Sequence, residues 1–536
     1  MPASSVAGQP LPPSGDAATS RPDECAAAVP PTAHPAPNLN HATLAALPAA
    51  HLRGPGAQWR EPEIGIVHLG LGNFHRAHQA LYTEDAMLAA GGDWGICGVS
   101  LTGNVEKRDA FRAQDGLYSL VQRGPDGVEV QVIRSLREVL TCPDDAARLM
   151  TRLCAPACRI VSLTVTEKGY CRDADGEVDT HHPDIAADLA HFPTVRTVPG
   201  WLVGALARRR AAGMAPFTVM SCDNLSHNGA ALKRVVVGFA AALDKALADW
   251  IAREVAFPST MVDRIVPAST ADDLTEAAHA LGCRDALAVP CEPFRQWVIE
   301  DRFSAGRPAW EHVGATLVDD VAPYELAKLR MLNAAHSTLA YWSLLLDIET
   351  IDRAVATAPL QRYVHALLTD EIMPVLGANA GIATSDIDLA TYRDALLTRF
   401  ANPALKHRSA QIAMDGSLKL PLRWVPSLME ARALGIAAPR LTSSIAAWIV
   451  FLSGRSVSDR RFPIQDPMAP ALRDAIGADD ASDGDDAARV SALLSIPAIF
   501  PPELAADVAF HRSLTDAVKA IRADPAAALQ AAVSPT

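Results

Sequence analysis

An α/β chain is predicted, with a doubly wound N-terminal domain followed by a mostly α-helical C-terminal domain. Three features predict it. Short β-rich runs alternate with helical stretches from about residue 39 to 320, a glycine turn follows the first of those runs, and strand signals fade beyond Pro323. Residues 1–38, rich in Pro, Ala and Ser and without periodicity, read as a disordered leader outside the fold. The first strand is the apolar run 64–69, and further strands are expected at 96–99, 128–133, 160–165 and 217–220. Helices are expected between them at 144–153, 201–212 and 230–256. Such alternation implies a mainly parallel sheet covered on both faces. In the second domain, 321–536, Ala/Leu periodicity predicts helices near 324–346, 353–376, 389–400, 425–434 and 441–453, with no internal repeat.

With 536 residues, 49% hydrophobic and 20% charged, the chain has room for two or three domains with sizeable cores. A net charge of -13 argues against nucleic acid as a partner, so any anionic substrate must be held by a local basic pocket. No run approaches the roughly 18 apolar residues of a membrane span. Nine cysteines without a CxxC pair or a secretory leader suit a reducing cytoplasm. Cys154 and Cys158 lack a second Cys/His pair at zinc-site spacing, so no metal is expected.

Two segments carry the chemistry. The run 64–69 leads into Gly70-Leu71-Gly72-Asn73-Phe74-His75-Arg76 and then an apolar-periodic helix. Gly70 allows the tight turn, and Gly72 lets backbone N–H groups approach a pyrophosphate at a helix N-terminus. His75 stands where the usual third glycine of the dinucleotide fingerprint would be. Far downstream, PYELAKLRMLNAAHSTLAY places Lys328, Asn333 and His336 at i, i+5 and i+8. At about 100° per residue they fall in a sector about 140° wide, so an amine, an amide and an imidazole can face one cavity. Hydride transfer to or from a carbon requires a proton to move at the attached oxygen, which such a set can supply. In α/β sheets ligands sit beyond the carboxyl ends of strands, which also draws attention to 166–170, 221–224 and 261–264; Asn224 is the best placed of these to donate to a developing oxyanion.

The collinear motifs GLGNFHRAHQALY, SLTVTEKGY, MSCDNLSHNG, FPSTMVDRIVP, CEPFRQWVIEDRF, KLRMLNAAHS and AMDGSLKLP resemble the polyol-specific long-chain dehydrogenase/reductase family, whose branches include mannitol 2-dehydrogenase and fructuronate reductase. The resemblance implies a Rossmann-type N-terminal domain, a nicotinamide cofactor, no metal, and a small sugar acid or polyol substrate. It implies Lys328 as acid/base, Asn224 and Asn333 as the oxyanion site, His336 as a substrate-orienting group, and Glu325 as a glutamate linked to proton movement. Gly70, Gly72, Asn73, Phe74 and Arg76 fall in the cofactor turn, and Asp263 and Lys419 match substrate-contacting positions. To work near neutral pH the lysine must lose about 4 kcal/mol of preference for its charged form, which burial can supply. An ion pair with Glu325 would oppose that, so Glu325 is expected to point toward a water path when Lys328 is neutral.

Lys168, Arg330, His407, Arg408 and Gln411 look more like the fructuronate reductase branch, because a cationic cluster favours a carboxylate over a hydroxymethyl group by about 1.5–3 kcal/mol per charge-assisted bond. The expectation is therefore D-fructuronate and D-mannonate with NAD(H), with fructose and mannitol as the alternative pair. A non-catalytic nicotinamide-nucleotide sensor on the same fold is the alternative of another class. NADP stays open, since Asn104 and Val105 stand where an acid would bind the adenine-ribose hydroxyls, with Glu106 one place further on, and Lys107 and Arg108 either meet a 2'-phosphate or form an ordinary charge cluster at a helix start. A monomer or small homo-oligomer is expected.

Overall fold

The apolar run Ile64–Leu69 becomes a central strand because both of its faces are covered. Ile66 packs with Ile96, Ile160 and Met220 on one side of the sheet, and Val67 and Leu69 with Val99 and Leu163 on the other. The computed structural model describes residues 36–54, 59–383, 385, 387–405, 407–477 and 486–533. Its strands are β1 (Ile64–Leu69), β2 (Gly95–Ser100), β3 (Tyr118–Gly124), β4 (Gly127–Ile133), β5 (Leu136–Thr141), β6 (Ile160–Leu163), β7 (Thr218–Ser221), β8 (Thr260–Asp263), β9 (Val289–Cys291), β10 (Gln296–Glu300) and β11 (Thr316–Val318). The main sheet has the order β5-β2-β1-β6-β7 with every pairing parallel, so the order reverses between β1 and β6. That reversal opens the crevice in which a doubly wound sheet binds its ligand.

Several expectations need correction. The run 128–133 does not join the parallel sheet. It is β4, antiparallel to β3 from Tyr118↔Ile133 to Gly124↔Gly127, and β9 completes this separate three-stranded sheet. The Pro125-Asp126-Gly127 stretch that turns the hairpin is a recognisable turn signal. The run 230–256 is two helices, Asn228–Leu243 and Lys245–Glu254, because Asp244 leaves the helical region and caps the second through Ala246 N–H. The run 353–376 breaks at Thr357 ahead of Pro359. The strand expected at 160–165 ends at Leu163, which releases Thr164 and Val165 into the crevice wall.

Among the described residues the second domain is mostly helical, with Trp342, Trp424 and Trp448 fully buried in its core. Helices at Ala469–Ile476, Asp486–Leu494, Val508–Ala523 and Pro525–Val533 extend it beyond the stretches expected from periodicity. The expected leader lies outside the described residues as far as residue 35. Pro37 and Leu39 already pair through their backbones with Arg284. No described helix is long and apolar enough to cross a membrane, and no group of three or more His, Cys, Asp or Glu among the described residues could hold a metal ion.

Candidate active site

The glycine turn sits at the reversal point of the sheet. Gly70 has φ +96°, and a Cβ there would lie 2.0 Å from the Thr164 carbonyl oxygen, so only glycine lets β1 and the end of β6 approach this closely. The Gly70 and Leu71 N–H groups donate to Val99 O at 2.9 and 3.2 Å, which ties the turn to β2. At Gly72 a Cβ would meet nothing nearer than the Gly70 carbonyl at 3.9 Å. The protein itself leaves that face open, as a cradle for a pyrophosphate requires, and the helix Asn73–Ala77 starts there. These residues fit a dinucleotide. Phe74 lies parallel to His78 at 5.0 Å.

Asn73 and Arg76 brace the turn from behind. Asn73 donates to Ser269 Oγ at 3.1 Å and accepts from Arg76 at 2.6 Å. Arg76 is buried, donates to the Leu287 carbonyl, and lies over the rings of Phe111 and Tyr118; burial pulls it down to about 10. His75, in the place of the third glycine, stacks on His68 at 3.4 Å, and burial keeps both rings neutral.

Lys328 lies across the crevice, in a helix of three parts. The segment runs α-helical over Ala322–Ala327, takes a π-helical turn over Lys328–Asn333, and returns to α-helix over Ala334–Leu345. The widened turn brings residue 333 nearer to the face of residue 328 than α-helical pitch would, since π-helical bonding links i and i+5. Lys328 is buried; its Nζ donates to Asn224 Oδ1 at 2.7 Å and to the Val262 carbonyl. An ammonium has three N–H donors, so one remains for a ligand. With its oxygen on the lysine, the Asn224 amide has its NH₂ end left to donate, and Asn224 is exposed at the β7 end.

Burial lowers the Lys328 amine below 10.5, while Asp263 and Glu325 pull it up. Asp263 is held away from full effect. Arg399, from the helix Leu389–Phe400, grips both its oxygens at 2.6 and 3.0 Å, and grips Glu292 at 2.8 and 3.1 Å. The guanidinium also lies 3.8 Å from the Phe294 ring, and its charge lowers Lys328 in turn. This ion cluster joins the two domains beside the lysine. Arg399, Glu292 and Phe294 escaped sequence reading, although Glu292 and Phe294 lie inside CEPFRQWVIEDRF.

Glu325 makes no ion pair with Lys328 among the described residues. Its Oε2 accepts from His227 N–H at 3.2 Å, and it lines an outward cavity of about 250 Å³ with Ser226, Asp320 and Asn379. His336 lies against Phe400 at 5.1 Å and edge-on to His407 at 4.9 Å, with both imidazoles lowered by burial, His407 to about 4. Asn333 is half-buried, and its backbone carbonyl accepts from Arg423, which also donates to Ser337 Oγ. Lys419 donates to the carbonyls of Ile412 and Met414, and burial lowers it to about 8.

Other expected substrate residues are placed differently. Arg330 is buried with both terminal nitrogens on Glu430 at 2.8 and 2.9 Å, so its charge is committed within the helical domain. Arg408 and Gln411 line a cavity of about 390 Å³ with Glu349, Arg460 and Phe462. Lys168 is exposed on the short helix Glu167–Tyr170 beyond β6.

A parallel sheet whose glycine turn faces a buried lysine on a second, helical domain defines a dinucleotide-fold oxidoreductase. Comparison with known proteins is more specific. Family models for the mannitol dehydrogenase Rossmann domain and the mannitol dehydrogenase C-terminal domain match residues 64–312 and 320–522, and the chain belongs to the mannitol dehydrogenase family of oxidoreductases. It is 41% identical to the D-mannonate oxidoreductase of Escherichia coli (strain K12) over 459 residues, covering 85% of this chain and 92% of that protein. It is also 41% identical to a mannitol 2-dehydrogenase of Cereibacter sphaeroides over 412 residues, covering 76% and 85%. Among solved structures, the Pseudomonas fluorescens mannitol 2-dehydrogenase in ternary complex with NAD and D-mannitol aligns with a TM-score of 0.77 at 37% identity, covering 92% of this chain and 98% of that one.

Proposed function

We propose that this chain interconverts a keto sugar acid and its hydroxy acid, D-fructuronate and D-mannonate, by nicotinamide-dependent hydride transfer, with Lys328 as general acid/base. The observation that carries the chemistry is the buried Lys328 amine, held by Asn224 and Val262 O with one N–H to spare. A nicotinamide dinucleotide, when bound, supplies or accepts the hydride; NAD is the form held by the similar Pseudomonas fluorescens enzyme. Gly70, Gly72 and the N–H groups of Asn73 and Phe74 form its cradle. Lys328 holds the proton that passes to or from the substrate oxygen. Asn224 and Asn333 donate to that oxygen as negative charge develops, each worth about 3 kcal/mol. His336, neutral and half-buried, orients a substrate hydroxyl, and Asp263, whose oxygens Arg399 holds, and Lys419 stand at substrate-contacting positions. Glu325, on the outward cavity, connects the lysine to bulk water.

The acid substrate is supported by Arg423 and Lys419, whose charges are felt at His336 and which have no carboxylate within ion-pair distance among the described residues. Mannitol and fructose form the second reading, favoured by the commitment of Arg330 to Glu430 and by the equal identity to the Cereibacter enzyme. Turnover of D-fructuronate and D-fructose with NADH separates them. Higher kcat/KM on fructuronate is expected; higher efficiency on fructose moves the chain to the polyol branch. Lys328→Ala should lower kcat by about 10²–10⁴-fold while NADH still binds, and more than a tenth of wild-type turnover would contradict the assignment.

A further inference from the structure

The edge of the crevice next to the adenine ribose carries Asn104 and Val105 where a carboxylate would select an unphosphorylated ribose, with Glu106 one place further on. In a doubly wound sheet that edge lies at the end of the second strand, where an acid bonds the ribose hydroxyls or a cation accommodates a 2'-phosphate. Here β2 ends at Ser100, and residues 100–106 read Ser-Leu-Thr-Gly-Asn-Val-Glu, with Glu106 exposed in the first turn of the helix Val105–Ala113. Asn104, the one amide in that stretch, spends its oxygen capping the helix Val105–Ala113 through Lys107 N–H at 2.9 Å. The Lys107 side chain reaches from the first turn of that helix back over the glycine turn, where its Nζ donates to Leu71 O at 2.7 Å.

Lys107 is half-buried, bonded to a neutral carbonyl, and has no carboxylate within ion-pair distance among the described residues. The nearby Arg76 is likewise without one. The Asp285 carboxylate still acts on Arg76, so Lys107 is the cation at this turn whose charge an anionic ligand would neutralise. Burial and the Arg76 charge lower the Lys107 amine to about 8, and a bound anion would favour its charged form. Arg108 is different: Asp109 and Asp144 hold it at 2.9 and 3.0 Å. It is therefore not the group that would meet a phosphate.

We propose that Lys107 is a cofactor-specificity residue that receives the 2'-phosphate of a nicotinamide dinucleotide, so that this chain binds NADPH as well as NADH. The inference rests on the dinucleotide reading of the turn. Calorimetric titration of the full chain with NADH and with NADPH tests it without reference to turnover. Wild-type protein is expected to bind NADPH within tenfold of NADH. Lys107→Met should weaken NADPH by about tenfold or more, the scale of one charge-assisted bond, and NADH by less than about threefold. Lys107→Arg should restore most of the NADPH affinity, which separates charge from damage to the fold. NADPH binding more than tenfold weaker than NADH in the wild type, or equal losses for both in Lys107→Met, overturns the assignment while leaving the dinucleotide reading intact. Failure of both nucleotides to bind overturns that reading as well.

Discussion

The two walls of the crevice are built in different ways. The cofactor wall is backbone: Gly70 and Gly72, the N–H groups after them, and strand ends set by one continuous segment. The substrate wall is made of side chains brought from distant places. Asn224 follows β7, Asp263 ends β8, Glu292 follows β9, Lys328 lies in a π-turn and Arg399 on a later helix, joined only by hydrogen bonds and ion pairs. Backbone walls fail by steric intrusion, whereas side-chain walls fail when one partner leaves a buried charge unpaired.

Substitutions on each side sharpen that contrast. The largest effect is expected for Arg399→Leu, which strands Asp263 and Glu292 in a buried seam and should cost about 3–5 kcal/mol in chemical unfolding. It also removes a charge that lowers Lys328 and frees an acid that raises it, so the amine should rise. Alcohol oxidation needs the neutral lysine, so the ascending limb of its pH–rate profile should move to higher pH. An unmoved limb would mean that the cluster does not act on the lysine.

Gly70→Ala tests the cofactor wall. A left-handed φ together with a Cβ 2.0 Å from Thr164 O should cost about 2–5 kcal/mol and lower the melting temperature. Gly72→Ala should leave stability within about 1 kcal/mol, since the added methyl meets open space, yet weaken NADH binding roughly tenfold or more by filling the cradle. Undiminished NADH affinity would place the pyrophosphate elsewhere. The smallest effect belongs to Arg330→Met. Its partner Glu430 is substantially exposed, so about 1 kcal/mol of stability is at stake, and the fructuronate-to-fructose preference should not change.

What could be read from the chain follows the same division. β1, the glycine turn and the lysine segment were legible because their signals are local: an apolar run, two glycines and one helix periodicity. The π-turn was not, since a wheel drawn at α-helical pitch already brings Lys328 and Asn333 to one side and gives no sign of an extra residue. The pairing of Arg330 follows from the same wheel: at i+2 from Lys328 it faces the opposite way, toward Glu430. Arg399 lies 136 residues from Asp263, and no spacing rule links an ion pair over that distance. The hairpin of β3 and β4 is not legible in the apolar run 128–133 alone; its signal is the Pro-Asp-Gly turn before that run.

Burial holds the Lys328 amine below its ordinary range at the junction of the two walls. Titrating that amine by NMR, using selectively labelled lysine and Lys328→Arg to assign its signal, tests this directly. A midpoint below 10.5 is predicted, whereas a midpoint at or above 10.5 would contradict the account.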